Sequence, residues 1–164
     1  MKKTLLPTYH ETLYHLIQFR ISQFNKIKKL LKIDYDSFMI CSVTAAHFNF
    51  KNLKLNKEID WDQSWELARS ASDTSIFKKD KLTIFSVSQI LLMPKESVRR
   101  KLKQMIKMKI LKYSTKTGVI FGEKIDIFKP YAKDEVLGLS TFLKSLKHNG
   151  ALQNLLDIKK NDIK

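Results

Sequence analysis

Lys95, Glu96, Arg99 and Arg100, followed closely by Lys101, Lys103 and Lys107, crowd cationic hydrogen-bond donors into one short segment of the chain. A guanidinium presents a planar fork that matches phosphate oxygens or the O6 and N7 acceptors of guanine, geometry that a lysine ammonium cannot reproduce. The 164-residue chain has only four arginines among its 31 basic residues, namely Arg20, Arg69, Arg99 and Arg100, and two of them stand side by side here. An AT-rich genome would account for abundant lysine, but not for this pair.

The net charge of +15 favours a polyanionic partner, nucleic acid first and an anionic membrane surface second. It is unevenly spread. Residues 81–124 carry eleven basic side chains against Glu96 and Glu123, a balance of +9, while the remainder of the chain contributes +6.

The elements that would position these groups can be read from spacing. Ser86 and Gln89 have capping-box spacing, so a helix is expected to begin at Ser86 and to turn Val87, Ile90 and Leu91 inward. Pro94 ends that helix and opens the next. On a wheel of about 100° per residue, Val98, Leu102, Met105 and Ile106 share one face, while Glu96, Arg100, Lys103 and Lys107 stack on the other. Glu96 either accepts from a cytosine amino group or pairs with Arg100 four residues on, and the pairing is favoured. After Leu111, the run KYSTKTGVIF reads as a strand, a polar turn and a second strand.

Two helices, a basic second member at about 95–109 and a small hairpin at 112–121 make up a winged helix-turn-helix. The stretch from Phe85 to Leu111, above all MPKESVRRKLKQM, resembles the helix-turn-helix of catabolite-activator-type and related bacterial winged-helix regulators. The resemblance implies double-stranded DNA as partner, with Lys95, Glu96, Arg99 and Arg100 at the bases. Ser86, Ser88, Ser97, Lys101, Lys103 and Lys107, with Lys112, Lys116 and Thr117 of the wing, are then the candidates for backbone contact. One position departs from the pattern. Leu92 occupies the turn position that usually carries glycine, and a left-handed leucine costs on the order of 1 kcal/mol, so a tighter turn or a longer first helix is expected.

Elsewhere, Leu13, Ile17, Ile21, Phe24, Ile27 and Leu31 mark a long amphipathic helix opened by Pro7. Asp34 or Asp36 is placed to cap a second, largely apolar helix through Phe38, Met39, Ile40, Val43, Ala46 and Phe48. Asp60 and Gln63 form a capping pair before Trp61, Trp65 and Ala68, in an acidic neighbourhood of Glu58, Asp60, Asp62, Glu66 and Asp73. A further helix is expected near 131–147, ended by Asn149 and Gly150, then a short piece carrying Leu152, Leu155, Leu156 and Ile158. The fold class expected is mainly α, with an N-terminal helical region (1–80), a winged helix-turn-helix core (81–124) and a C-terminal helical region (125–164), packed as one compact unit. This layout is similar to that of the dimeric MarR-type regulators, which implies a homodimer through Leu13, Ile17, Phe24, Leu31, Phe142, Leu143 and Leu146. The same stripes are equally suited to intrachain core.

Other chemistry finds little support. His10, Glu11 and His15 miss the spacing of a zinc-protease helix, and His47 and His148 stand apart, so neither a metal nor a cofactor is expected. No Walker loop, dinucleotide glycine pattern or nucleophile elbow is present, and an enzyme is not expected. The single cysteine, Cys41, lies in an apolar run and reads as core. Trp61, Trp65, Phe48 and Phe50 suit either the lining of an effector pocket or core packing, and core packing is the favoured explanation. The chain opens without a signal-type segment and holds no apolar stretch of membrane-spanning length, so a cytoplasmic protein is expected. The leading function is a sequence-specific DNA-binding transcriptional regulator. The alternatives are a winged-helix protein-interaction module and a plasmid or phage replication initiator of the same fold.

Overall fold

A computed structural model describes residues 9–54, 59–70 and 80–157, so the expectations attached to Pro7, Glu58, Asp73 and Ile158 lie outside the described residues. These residues are mainly helical, with one small antiparallel sheet. They divide into two units, one drawn from Lys32–Lys129 and the other from Met1–Leu31 together with Pro130–Lys164.

The central unit begins with Asp34, whose carboxylate accepts from the Ser37 amide at 2.9 Å and so caps α2, Tyr35–Leu53. Asp34, rather than Asp36, is the cap because its extended backbone lets the side chain fold back onto the first turn. Ile40, Cys41, Thr44 and Phe48 form the buried face of α2, with Phe50 and Leu53 left exposed at its end. In α3, Trp61–Ser70, the expected reciprocal cap is present: Gln63 N–H donates to Asp60 Oδ1 at 2.8 Å, and Asp60 N–H to Gln63 Oε1 at 3.2 Å.

The next helix, α4 (Ile84–Leu91), starts earlier than its sequence predicts. Thr83 is the cap, accepting from the Ser86 amide at 3.0 Å, so Ser86 sits inside the first turn instead of opening it. Val87 and Ser88 are the buried residues of this helix, and Ile90, expected inside, is 59% exposed. Then α5, Lys95–Lys107, follows Pro94 and ends ahead of the expected 109, because Lys109 takes a left-handed backbone (φ 61°).

Two strands complete this unit, β1 (Leu111–Ser114) and β2 (Gly118–Phe121), paired from Leu111 opposite Phe121 to Ser114 opposite Gly118. Leu82, just before α4, bridges to Gly118 in parallel, and its carbonyl accepts from Val119 N–H at 2.7 Å. Gly118 is required there: its φ is +73° and a Cβ would collide with the Leu82 carbonyl. Val87, Val98, Leu102, Met105, Ile110, Leu111 and Val119 are all buried, and Phe48 meets Phe121 edge-on at 5.4 Å.

The other unit pairs α1, Tyr9–Lys26 with a widened last turn at Ile27–Leu31, with α6, Phe128–His148. Phe19 stacks on Phe142 at 5.4 Å, Gln23 donates to Glu135 at 2.7 Å, and Lys26 lies 3.7 Å from Asp134. Rising numbers on one helix meet falling numbers on the other, so the pair is antiparallel. Gly150, left-handed at φ 73°, ends the helical run before α7, Ala151–Leu156. Three residues expected at a dimer interface serve the chain's own packing: Leu31 and Leu146 are 3% exposed, and Phe142 is covered by Phe19.

Candidate nucleic-acid interface

The inner face of α5 is Val98, Leu102 and Met105, each at most 2% exposed. Ile106, expected among them, lies at the margin of that arc and is 38% exposed. The opposite face presents Glu96, Arg100, Lys103 and Lys107 to solvent, flanked by Arg99, while Lys95 is exposed at the start of the helix. Burial of the three apolar residues fixes which way the cations point.

Glu96 pairs with Arg99, Oε2 to Nη1 at 2.8 Å, and not with Arg100 as the sequence favours. Both arginines stand within reach of Glu96, at three and four residues on, and the pair that forms is the one to Arg99, which leaves Arg100 without an acid among the described residues. Among the described residues, Lys95, Arg100, Lys103 and Lys107 make no ion pair. Gln104, also exposed and beside Arg100 on the wheel, escaped the sequence reading; its amide suits adenine N6 and N7. Extending the polar arc to uncharged residues would have found it.

Lys101 has a different task from the phosphate contact expected of it. Its ammonium lies 2.6 Å from Asp34 Oδ2 with the side chain only 18% exposed, because it leaves α5 toward the first turn of α2. Burial pushes the Asp34 carboxyl up, but the Lys101 ammonium and the Ser37 amide outweigh it and hold the group below its ordinary value. One carboxylate thus caps α2 and anchors α5.

The turn between α4 and α5 is neither tightened nor preceded by a longer helix. Leu92 simply takes the left-handed conformation (φ 52°, ψ 36°) with 90% of its surface exposed. Met93 N–H donates to the Ser88 carbonyl at 3.1 Å, and Ser88 Oγ donates to the Met93 carbonyl at 2.7 Å. Ser88 is 6% exposed, so it holds the turn and is withdrawn from the expected backbone contacts. Ser86 is half-buried with its hydroxyl 2.8 Å from that of Thr83, and Ser97 is half-buried on α5.

At the hairpin, Lys116 stands exposed in the loop. Thr117 N–H donates to Ser114 Oγ at 3.0 Å, and Lys81 Nζ to the Thr115 carbonyl at 2.7 Å, so the loop is tied at both sides. Lys112 approaches Glu123 at 3.4 Å across the solvent-exposed base, a contact that water and salt screen. The described hairpin therefore offers Lys116 at its tip and Lys112 and Thr117 behind it.

The remaining candidates do not converge on a site. Among the described residues no cluster of His, Cys, Asp and Glu could hold a metal. Burial pushes the Cys41 thiol up to about 12, far from a reactive thiolate. Phe48 belongs to the core, Trp61 packs edge-on against Trp65 at 5.8 Å, and Phe50 lies under Lys54. No described helix is long and apolar enough to cross a membrane. Comparison with protein-family models, curated proteins and solved structures finds nothing that matches this chain.

Proposed function

We propose that α4, α5 and the hairpin constitute a winged helix-turn-helix and that the protein is a cytoplasmic, sequence-specific regulator binding double-stranded DNA. The observation that carries this reading is the outer face of α5, where Arg100, Lys103 and Lys107 are exposed and make no ion pair among the described residues, while the single acid on that face is taken by Arg99. An α-helix of this width enters a major groove, placing Lys95, Arg99 and Arg100 toward base edges and Lys103 and Lys107 toward phosphates. Lys116 of the hairpin would meet the adjoining backbone.

The test is a titration of duplex DNA at several salt concentrations, after selection of a preferred site from random duplexes. Log affinity should fall linearly with log salt, by about 0.9 per phosphate neutralised. Arg100→Ala should lose about 1–3 kcal/mol on the preferred site and little on random DNA. Equal loss on both would make Arg100 a phosphate contact, and binding indifferent to salt would end the reading.

A second reading has its own support: Phe85 and Ile90 are each 59% exposed on α4, beside the exposed Leu92. Apolar side chains there fit contact with a protein, either as the module's main role or alongside DNA. Partners retained after nuclease treatment and in the presence of competitor DNA would favour it. A replication initiator built on the same fold would bind repeated origin sequences, and the site selection would show such repeats.

A further inference from the structure

Facing a base edge and discriminating between bases are different tasks, and the geometry of α5 divides them. In the regulators that this motif resembles, the positions matching Lys95, Glu96, Arg99 and Arg100 stand at the bases. Lys95, in the first turn of α5, lies about 140° round the wheel from Arg100, and its ammonium is a point charge with no fork to match one base against another. Glu96 and Arg99 hold each other, Oε2 to Nη1 at 2.8 Å, so either must release the other before it meets a base.

Arg100 differs from all three. The buried Val98, Leu102 and Met105 centre the inner side of α5 about 170° away from it, which puts Arg100 at the middle of the outer side. Its guanidinium makes no hydrogen bond or ion pair among the described residues. Gln104 follows one turn later, about 40° round the wheel, exposed and with its amide equally uncommitted among the described residues. The two form a line along the middle of the outer side. Lys103 stands about 60° off that line, toward a wall of the groove and its phosphates, and Lys107 prolongs the line as a point charge at the last turn.

The chemistry of the two groups names their bases. A guanidinium fork matches guanine O6 and N7, while a carboxamide, with a donor on one side and an acceptor on the other, matches adenine N6 and N7. Four residues advance an α-helix by about 6 Å, and successive bases of a strand are about 3.4 Å apart, so the two groups address bases within about two steps. We propose that the sequence preference of this protein is read by Arg100 and Gln104, one turn further along α5 than the resemblance implies, and that its preferred duplex carries a guanine and an adenine so spaced. This rests on the reading of α5 as a major-groove helix. Lys95, Arg99, Lys103 and Lys107 then supply attraction that differs little from one sequence to another.

The test uses the whole chain and the duplex selected from random sequences, with each of its positions replaced in turn. Gln104→Ala should lose about tenfold or more on the selected duplex and no more than about twofold on the duplex whose adenine is replaced. Gln104→Glu, an acceptor only, should move the preference at that position from adenine to cytosine, a change that loss of structure cannot produce. Arg100→Lys should keep the salt dependence and lose the preference for guanine, while Arg99→Ala should weaken every duplex by a similar factor. A selected site without guanine and adenine so spaced, an equal loss on every duplex for Gln104→Ala, or a base preference that goes with Arg99 and survives without Gln104 overturns the proposal and leaves DNA binding standing. A wild-type chain whose affinity ignores salt overturns the DNA reading itself, and this proposal with it.

Discussion

Helices α5 and α1 are both amphipathic, yet they spend their outer faces in opposite ways. The inner side of α5 is sealed by Val98, Leu102 and Met105, and its outer side is charged from Glu96 to Lys107. On α1, the side away from α6 is Ile17, Ile21 and Phe24. Water satisfies the first surface, so only a partner with matching charge gains by covering it. It does not satisfy the second, where burial of apolar area is itself the driving force. An outer face thus tells which class of interaction a helix is built for, once its inner face is known.

The sharpest way to break this contrast lies within α5, between neighbouring positions. Leu102→Ala should destabilise the fold by about 2–5 kcal/mol, since Leu102 is 2% exposed and its removal leaves a cavity. Lys103→Ala, one residue on, should change stability by no more than about 0.5 kcal/mol while weakening DNA binding equally across sequences. Urea denaturation paired with DNA titration measures both. A large stability loss at Lys103, or none at Leu102, would mean the faces are not divided as described.

Much of this division was legible in the sequence, because a helix imposes its period on any chain that buries one side. Val98, Leu102 and Met105 announce the inner face of α5, and Pro94 announces its start. What failed were choices between near-equivalent local partners. Thr83 and Ser86 both cap well, and Arg99 and Arg100 both lie within reach of Glu96; the cap of α2, left open between Asp34 and Asp36, is Asp34. Lys101 was misread for a different reason: its partner, Asp34, is 67 residues away, and no local pattern encodes that distance. The same limit applies to α1, where a wheel shows apolar residues nearly all round but not which of them α6 covers.

Asp34 allows a smaller and more selective perturbation, because its two oxygens serve different elements. Asp34→Asn keeps a capping oxygen for the Ser37 amide and discards the charge that holds Lys101, whereas Asp34→Ala discards both. The alanine variant should lose about 1–2 kcal/mol and the asparagine variant less, with the difference reporting the cap. Acid should act like the asparagine. The folded carboxyl titrates below its ordinary value, so this contribution is full above the unfolded pKa of about 3.9 and is lost as pH falls through the lower folded value. Thermal unfolding of wild type and Asp34→Asn should therefore converge as the solution is acidified through that window. Convergence at neutral pH instead would mean that the pair contributes nothing to the anchoring of α5.

The smallest expected effect, and the one of opposite sign, is at the turn between α4 and α5. Leu92 holds φ 52° with 90% of its surface in solvent, so glycine would lose almost no packing and would relieve the clash that a Cβ creates in the left-handed region. Glycine also loosens the unfolded chain, which takes back part of the gain. Leu92→Gly should thus stabilise the fold by about 0.5 kcal/mol, read as a slightly higher urea midpoint with unchanged slope. If stability rises while DNA affinity holds, the leucine is only a tolerated strain. If affinity or recovery of a protein partner falls while stability rises, the side chain is retained for what it touches, and the exposed apolar group of Phe85, Ile90 and Leu92 becomes a working surface beside the charged one.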